Sequence, residues 1–368
     1  MIKEGKFGVN EAVSLVIIAT TSKIFLAGPA TLAEIVGTAT WLSSLISGAV
    51  AFAGFGFIYL LLKRFPGRDL VEIFDISFGR ALGFIFSCVL AIFMFISTLI
   101  RMNESREFLH VFIYPMSPNW LLSGLFILCV FVLSLLGLES IARLAKLLIY
   151  FMIASFLLAM IMGIPNYDIN NLFPILGKGL DKIAPVGVLG SSVYGDVIIL
   201  AIFAKSLQGH KFIKREGIIG IFISFLIVSA ALLATSLTFP HYVLQETTAA
   251  VYELTTIIDL GRYLQRVEAI FIFARIFNAI IANTVSYYAF LWIFCNTFKI
   301  SDKRPVVISS CIVLFASTFL QKDITSVVFG RLAFFHEFGS SLLLFGLPIL
   351  ALITAKLRKK GGEIECAS

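Results

Sequence analysis

The feature that most constrains this chain is its repeated run of about 20 apolar residues, the length a helix rising 1.5 Å per residue needs to cross a bilayer's hydrocarbon. Such runs fall near residues 9–36, 41–62, 82–102, 120–138, 144–163, 185–204, 217–239, 267–298, 305–320 and 337–355. They predict an all-α integral membrane protein of about ten transmembrane helices. Composition agrees: 59% of the 368 residues are hydrophobic, 14% are charged, and mean hydropathy is +0.98. A water-soluble fold could not bury that much apolar surface.

The formal net charge of +7 does not point to nucleic acid, because the basic residues sit in short clusters between apolar runs. Their distribution instead predicts orientation. If the amino terminus is cytoplasmic, the inner connections carry Lys3 and Lys6, Lys63 to Arg80, Arg143 and Lys146, Lys205 to Arg215, Lys299 to Arg304, and Lys356 to Lys360. The outer connections carry fewer, among them Arg101, Arg106, Lys178, Lys182, Arg262, Arg266, Lys322 and Arg331. That bias places both termini inside and requires an even number of spans. Lys23 and Arg275 are then the basic residues left deep within spans.

The polar amino terminus, MIKEGKFGVNEAV, lacks the form of a signal peptide, so the first apolar run is expected to remain in the mature protein. The five cysteines are dispersed and form no CxxC pair, which points to packing rather than to metal or disulfide chemistry. No Walker sequence, HExxH, GxSxG or GxGxxG occurs, and the four histidines lack paired carboxylate motifs. No cofactor, metal or catalytic residue is assigned, and the chain reads as a non-enzyme.

Two spans differ from the rest. The first carries Thr20, Thr21, Ser22 and Lys23 near mid-membrane, then Gly28 and Pro29, and this proline crowds the carbonyl of Phe25. The sixth carries Gly190, Ser191, Ser192, Tyr194, Gly195 and Asp196 in its middle. Both helices are predicted to be interrupted. Backbone freed in this way must line a protein-enclosed cavity rather than face lipid. Interruptions at the first and sixth positions mark an inverted repeat of five plus five spans: residues 1–164, then 184–356, with 357–368 as a cytoplasmic tail.

In that architecture half-helix amino ends attract an anion and carboxy ends a cation, which together suit a zwitterion such as an amino acid. Thr20 to Ser22 and Gly190 to Ser192 would form the polar pole of the pocket, and Phe25 or Tyr194 would bound a ligand side chain. Small and hydroxyl residues also serve tight helix packing, which is the plainer alternative. Lys23 must be offset because a charge at mid-bilayer costs roughly 2.5–3.5 kcal/mol even on the lenient insertion scale. It could neutralise Asp196, bind a ligand carboxylate, or stand where a transporter holds a coupling cation. Arg275, Asn278 and Asn283 lie within about two turns and could border the same cavity, although Arg275 alone could snorkel outward. Residues 240–266 are polar yet periodic and read as an outer amphipathic helix burying Val251, Leu254, Ile258 and Tyr263.

Several stretches carry a resemblance: AEIVGTATWLSSLISG into the second span, the loop KRFPGRDLVEIFDISFGRALG, and YELTTIIDLGRYLQRVEAIFIFARIF, with Gly261 before Arg266 and Glu268. Over nearly its whole length the chain resembles the B subunits of GerA-type spore germinant receptors, within the amino acid, polyamine and organocation transporter superfamily. The resemblance implies a LeuT-like fold and a spore inner-membrane protein. It also implies a small-molecule germinant, an amino acid by expectation, and partners in an A subunit and a lipoprotein C subunit. An amino acid permease coupled to protons or cations is the competing expectation.

Overall fold

A computed structural model describes residues 5–25, 28–207, 212–258, 267–319, 338–358 and 360. Among these the protein is helical throughout, apart from an isolated bridge between Phe7 and Leu207. Eight helical stretches are long and apolar enough to cross a membrane, and two shorter apolar helices, Val9–Thr21 and Arg304–Thr318, accompany them.

The first interruption is present. Helix α1 (Val9–Thr21) gives way to a 3₁₀ turn at Ser22–Phe25, and α2 (Gly28–Val36) follows. Ser14 through Thr21 are all buried, so α1 presents no lipid-facing side over this stretch. At Gly37, whose φ of 68° suits glycine, the chain turns through Gly37–Ala39 into α3 (Thr40–Arg64). A short helix, α4 (Leu70–Phe78), occupies what the sequence suggested was a loop. Its N-cap Asp69 accepts the Glu72 N–H at 3.0 Å, and Gly79 at φ 88° ends it.

Helix α5 (Arg80–Phe112) requires a correction. The apolar run ends near Met102, which from sequence alone places Arg101 and Arg106 in an outer connection. The helix is 33 residues long in all, runs on to Phe112 and buries both arginines, at 3% and 2% exposure. Each is held by partners that the apolar pattern cannot reveal. Helices α6 (Asn119–Leu136) and α7 (Leu138–Met162) follow, joined at Gly137, and two 3₁₀ turns lead to the sixth span.

That span is interrupted too. Helix α8 (Leu180–Gly190) passes into a 3₁₀ segment at Ser191–Ile198 and a single turn, α9 (Ile199–Ile202). Helix α10 (Ile213–Thr238) comes next. The expected single outer helix is instead two, α11 (His241–Glu246) and α12 (Ala250–Thr256). Between them Thr247 is extended, and its hydroxyl bonds back to the Val243 carbonyl at 2.8 Å, which competes with helix continuation. Val251, Leu254 and Ile258 are buried as expected, whereas Tyr263 lies outside the described residues. Among the described residues the remaining helices are α13 (Val267–Thr297), α14 (Arg304–Thr318) and α15 (Leu347–Leu357), the last preceded by a π turn at Leu342–Gly346.

These helices pack as two groups. Helices α1, α3, α8 and α10 form one, with α10 against both α1 and α3; α5, α6, α13 and α14 form the other around the long α5–α13 contact. Helix α7 touches both α1 and α13. At one end of the molecule Lys205 reaches Asp69 at 3.3 Å and Glu72 at 2.7 Å, Lys146 reaches Glu11 at 2.8 Å, and the Phe7 N–H donates to the Ser206 carbonyl. Arg64 donates to the Ala355 and Lys360 carbonyls at the same end.

Candidate functional site

The two interruptions face each other. Where α1 ends, its last carbonyls lose their intrahelical partners and the helix dipole leaves negative potential there. Two side chains answer that need: the Ser22 hydroxyl donates to the Ala19 carbonyl at 2.8 Å, and Arg101 Nη1 donates to the same carbonyl at 2.9 Å. Arg101 Nη1 also donates to Ser22 Oγ at 2.9 Å, and Nη2 donates to Asp196 Oδ1 at 2.5 Å. One guanidinium on α5 therefore grips both the end of α1 and the 3₁₀ segment of the sixth span.

Lys23 completes the arrangement from the other direction. Its ammonium donates to the Ser192 carbonyl at 3.2 Å, just past the carboxy end of α8, and lies 3.0 Å from Asp196 Oδ2. Each carbonyl end is thus met by a side-chain cation, with Asp196 bridging the two. Of the roles open to Lys23 in the sequence, neutralising Asp196 is the one this geometry displays. With all groups ionised, Lys23, Arg101 and Arg275 against Asp196 and Glu104 sum to a net charge of +1.

The other predicted residues distribute as follows. Thr20, Thr21, Ser22, Ser191, Ser192 and Tyr194 are buried. Thr21 Oγ1 donates to the Ile17 carbonyl at 2.8 Å and accepts from Asn278 Nδ2 at 3.3 Å, which ties α13 to the first interruption. Asn283, further along α13, donates to Ser105 Oγ at 3.4 Å, and Ser105 donates to the Arg101 carbonyl at 2.7 Å. Arg275 does not snorkel: it is 4% exposed, with its guanidinium 5.4 Å from the centre of the Phe108 ring. Glu104 acts electrostatically on both Lys23 and Arg275. Gly190 faces α3 rather than open space, since a Cβ there would come within 2.6 Å of Ser47 Oγ. The side chain of Phe25 lies outside the described residues.

Sequence reasoning missed Arg101. The available signal was spacing, because Thr98, Arg101 and Ser105 recur at helical intervals into RMNESRE, and all three are buried on α5.

The sequence profile described as spore germination protein matches residues 7–327. The chain belongs to that family. Spore germination protein KB of Bacillus subtilis (strain 168) is 22% identical over 62% of this chain, a match spanning 61% of that relative's own length. Spore germination protein YndE of the same organism is 24% identical over 87% of this chain and 88% of the relative. Among solved structures, Mhp1, a nucleobase-cation-symport-1 family transporter in a closed conformation with bromovinylhydantoin bound, superposes with a TM-score of 0.67 at 12% identity. That likeness covers 93% of this chain and 78% of Mhp1. A manganese transporter of Eremococcus coleocola gives a TM-score of 0.54 at 15% identity, covering 95% and 77%. The fold is therefore that of LeuT-type transporters, and the chain is an all-helical membrane protein of the spore germination family.

Proposed function

We propose that this spore germination protein is a germinant-receptor B subunit that binds a small nutrient bearing a carboxylate, an amino acid by preference, between its two interrupted helices. The observation that carries this reading is the sharing of one carboxylate, Asp196, by two buried cations, Lys23 and Arg101. A buried net positive charge favours an incoming anionic group, and in this reading the ligand's carboxylate fills that role. In this reading Thr20, Thr21, Ser192 and Tyr194, buried close to the cluster in the chain, supply the polar and aromatic boundary of the pocket. Asn278 and Arg275 border it from α13.

In this reading residues 1–164 and 184–356 are the two inverted halves, and both termini face the spore core across the inner membrane. Occupancy of the pocket shifts a conformational equilibrium that an A subunit and a lipoprotein C subunit read. Lys23 and Arg101 already sit at the carbonyl ends where an ion-coupled relative would hold its cation. The reading therefore expects ligand binding that does not depend on sodium.

The test is a thermal-shift screen of amino acids and sugars against the purified complex, in sodium and in choline buffers. A ligand at a hundred times its dissociation constant adds about 2.7 kcal/mol of stability, a readily measured rise in Tm. An amino acid should give that rise equally in both buffers, and Arg101→Met should abolish it. Stabilisation by uncharged sugars alone would overturn the carboxylate assignment. Robust uptake of radiolabelled amino acid by the isolated chain in liposomes would replace the receptor with a permease.

A further inference from the structure

Away from the central cluster, the membrane-facing surface between α5, α13 and α14 is hollowed into a groove of about 560 Å³. Its walls include Ala91 and Phe95 of α5, Phe290 and Phe294 of α13, and Val306 of α14. The lining hydroxyls are spent on their own helix: Ser309 Oγ donates to the Pro305 carbonyl and Ser310 Oγ to the Val306 carbonyl. The slot is therefore apolar, and its rim residues Ile92, Phe298 and Val313 are 59%, 48% and 54% exposed.

One end of the groove is charged. Phe298 of the lining is followed by exposed Lys299, and Pro305 is preceded by exposed Arg304. Lys303 is turned away, donating to Tyr288 Oη at 2.9 Å with its ammonium 5.0 Å from that ring's centre. Asp302 caps α14 by accepting the Arg304 N–H at 3.0 Å. From the neighbouring elements, Arg80 at the start of α5 and Asp75 of α4 face the same patch, since Asp75 feels both Lys299 and Arg80. Basic groups exceed acidic ones at this mouth, which lies at the molecule's strongly basic end.

We propose that this groove holds an acyl chain of an anionic phospholipid whose phosphate rests on Lys299 and Arg304. An apolar slot opening to hydrocarbon, with basic side chains at headgroup depth, offers a lipid both of the contacts it needs. The exposed Lys299 and Arg304 at the mouth favour an anionic headgroup over an apolar protein helix. The site is distinct from the germinant pocket and does not depend on that assignment.

The experiment is native mass spectrometry of the full chain released from mixed phosphatidylglycerol and phosphatidylcholine. Retention should favour phosphatidylglycerol about thirtyfold, as about 1 kcal/mol for each of the two basic residues implies, and Lys299→Gln/Arg304→Gln should bring the two lipids to parity. Photoreactive phosphatidylglycerol should label residues of the groove in preference to the rest of the apolar belt. This second readout needs no variant. Equal retention of both lipids by the wild-type chain, or labelling spread evenly round the belt, overturns the proposal. Cross-linking from Cys88 to another polypeptide in native membranes overturns it in favour of a protein partner.

Discussion

Asp196 is the residue on which the centre turns, because two cations from different helices converge on its carboxylate. Removing one member of a buried ionic group strands the others, at about 3–5 kcal/mol. Asp196→Asn should therefore lower the Tm of the detergent-purified protein sharply. Lys23→Met should cost less, since Arg101 still serves the carboxylate, and the double variant should be less damaged than the two single losses summed. A wild-type melting curve for Asp196→Asn would refute the cluster's structural weight. Arg101→Lys is not conservative here: an ammonium cannot span Ala19, Ser22 and Asp196 as the guanidinium fork does. At this scale the sequence was half legible. Thr20 to Lys23 and Gly190 to Asp196 stood out as polar islands in apolar runs. Arg101 did not, because it stands at the end of an apolar run, where a charge reads as interfacial, and only tertiary contacts show that it is internal and paired.

Among the elements, α3 and α10 approach through reciprocal glycine and phenylalanine contacts. A Cβ on Gly48 would lie 2.2 Å from Phe225 Cδ2, and one on Gly217 would lie 1.9 Å from Phe55 Cζ. Gly217→Val should destabilise by about 1–3 kcal/mol through overpacking, with partial recovery when Phe55→Leu frees the space. Thermal unfolding of the three variants checks both halves of that statement. The connection containing α4 carries a second prediction. Burial pulls the Lys205 pKa down, but its hydrogen bonds and ion pairs with Glu72 and Asp69 outweigh that and raise it above the ordinary lysine value. The folded value exceeds the unfolded one, so the stabilisation is intact at neutral pH and is lost as pH rises through the folded value. Above about pH 10, wild-type Tm should fall more steeply than that of Lys205→Met. Parallel alkaline profiles would show that the contact contributes nothing. Neither α4 nor the division of residues 241–256 into two helices was legible beforehand, because short amphipathic turns at a membrane surface owe their form to caps and to their neighbours' packing rather than to a long periodicity.

The whole molecule is two packed groups of helices with charge concentrated where they meet. Apolar length alone anticipated the membrane class and the approximate placement of the helices, because hydrocarbon thickness leaves a spanning segment little freedom. Polar islands anticipated which two helices are interrupted. How far α5 extends, and which arginines are internal, depended on contacts between distant parts of the chain. Those contacts carry one more consequence. Lys23 rides on the group containing α1, and Arg101 on the group built round α5, so any rocking of one group against the other moves charge through the transmembrane electric field. One elementary charge crossing the full field is worth about 2.3 kcal/mol per 100 mV. On the proposed receptor reading, the ligand response in proteoliposomes should therefore shift when an ionophore and a potassium gradient impose a voltage. Superimposable dose–response curves at opposite polarities would mean that these charges stay fixed while the protein works.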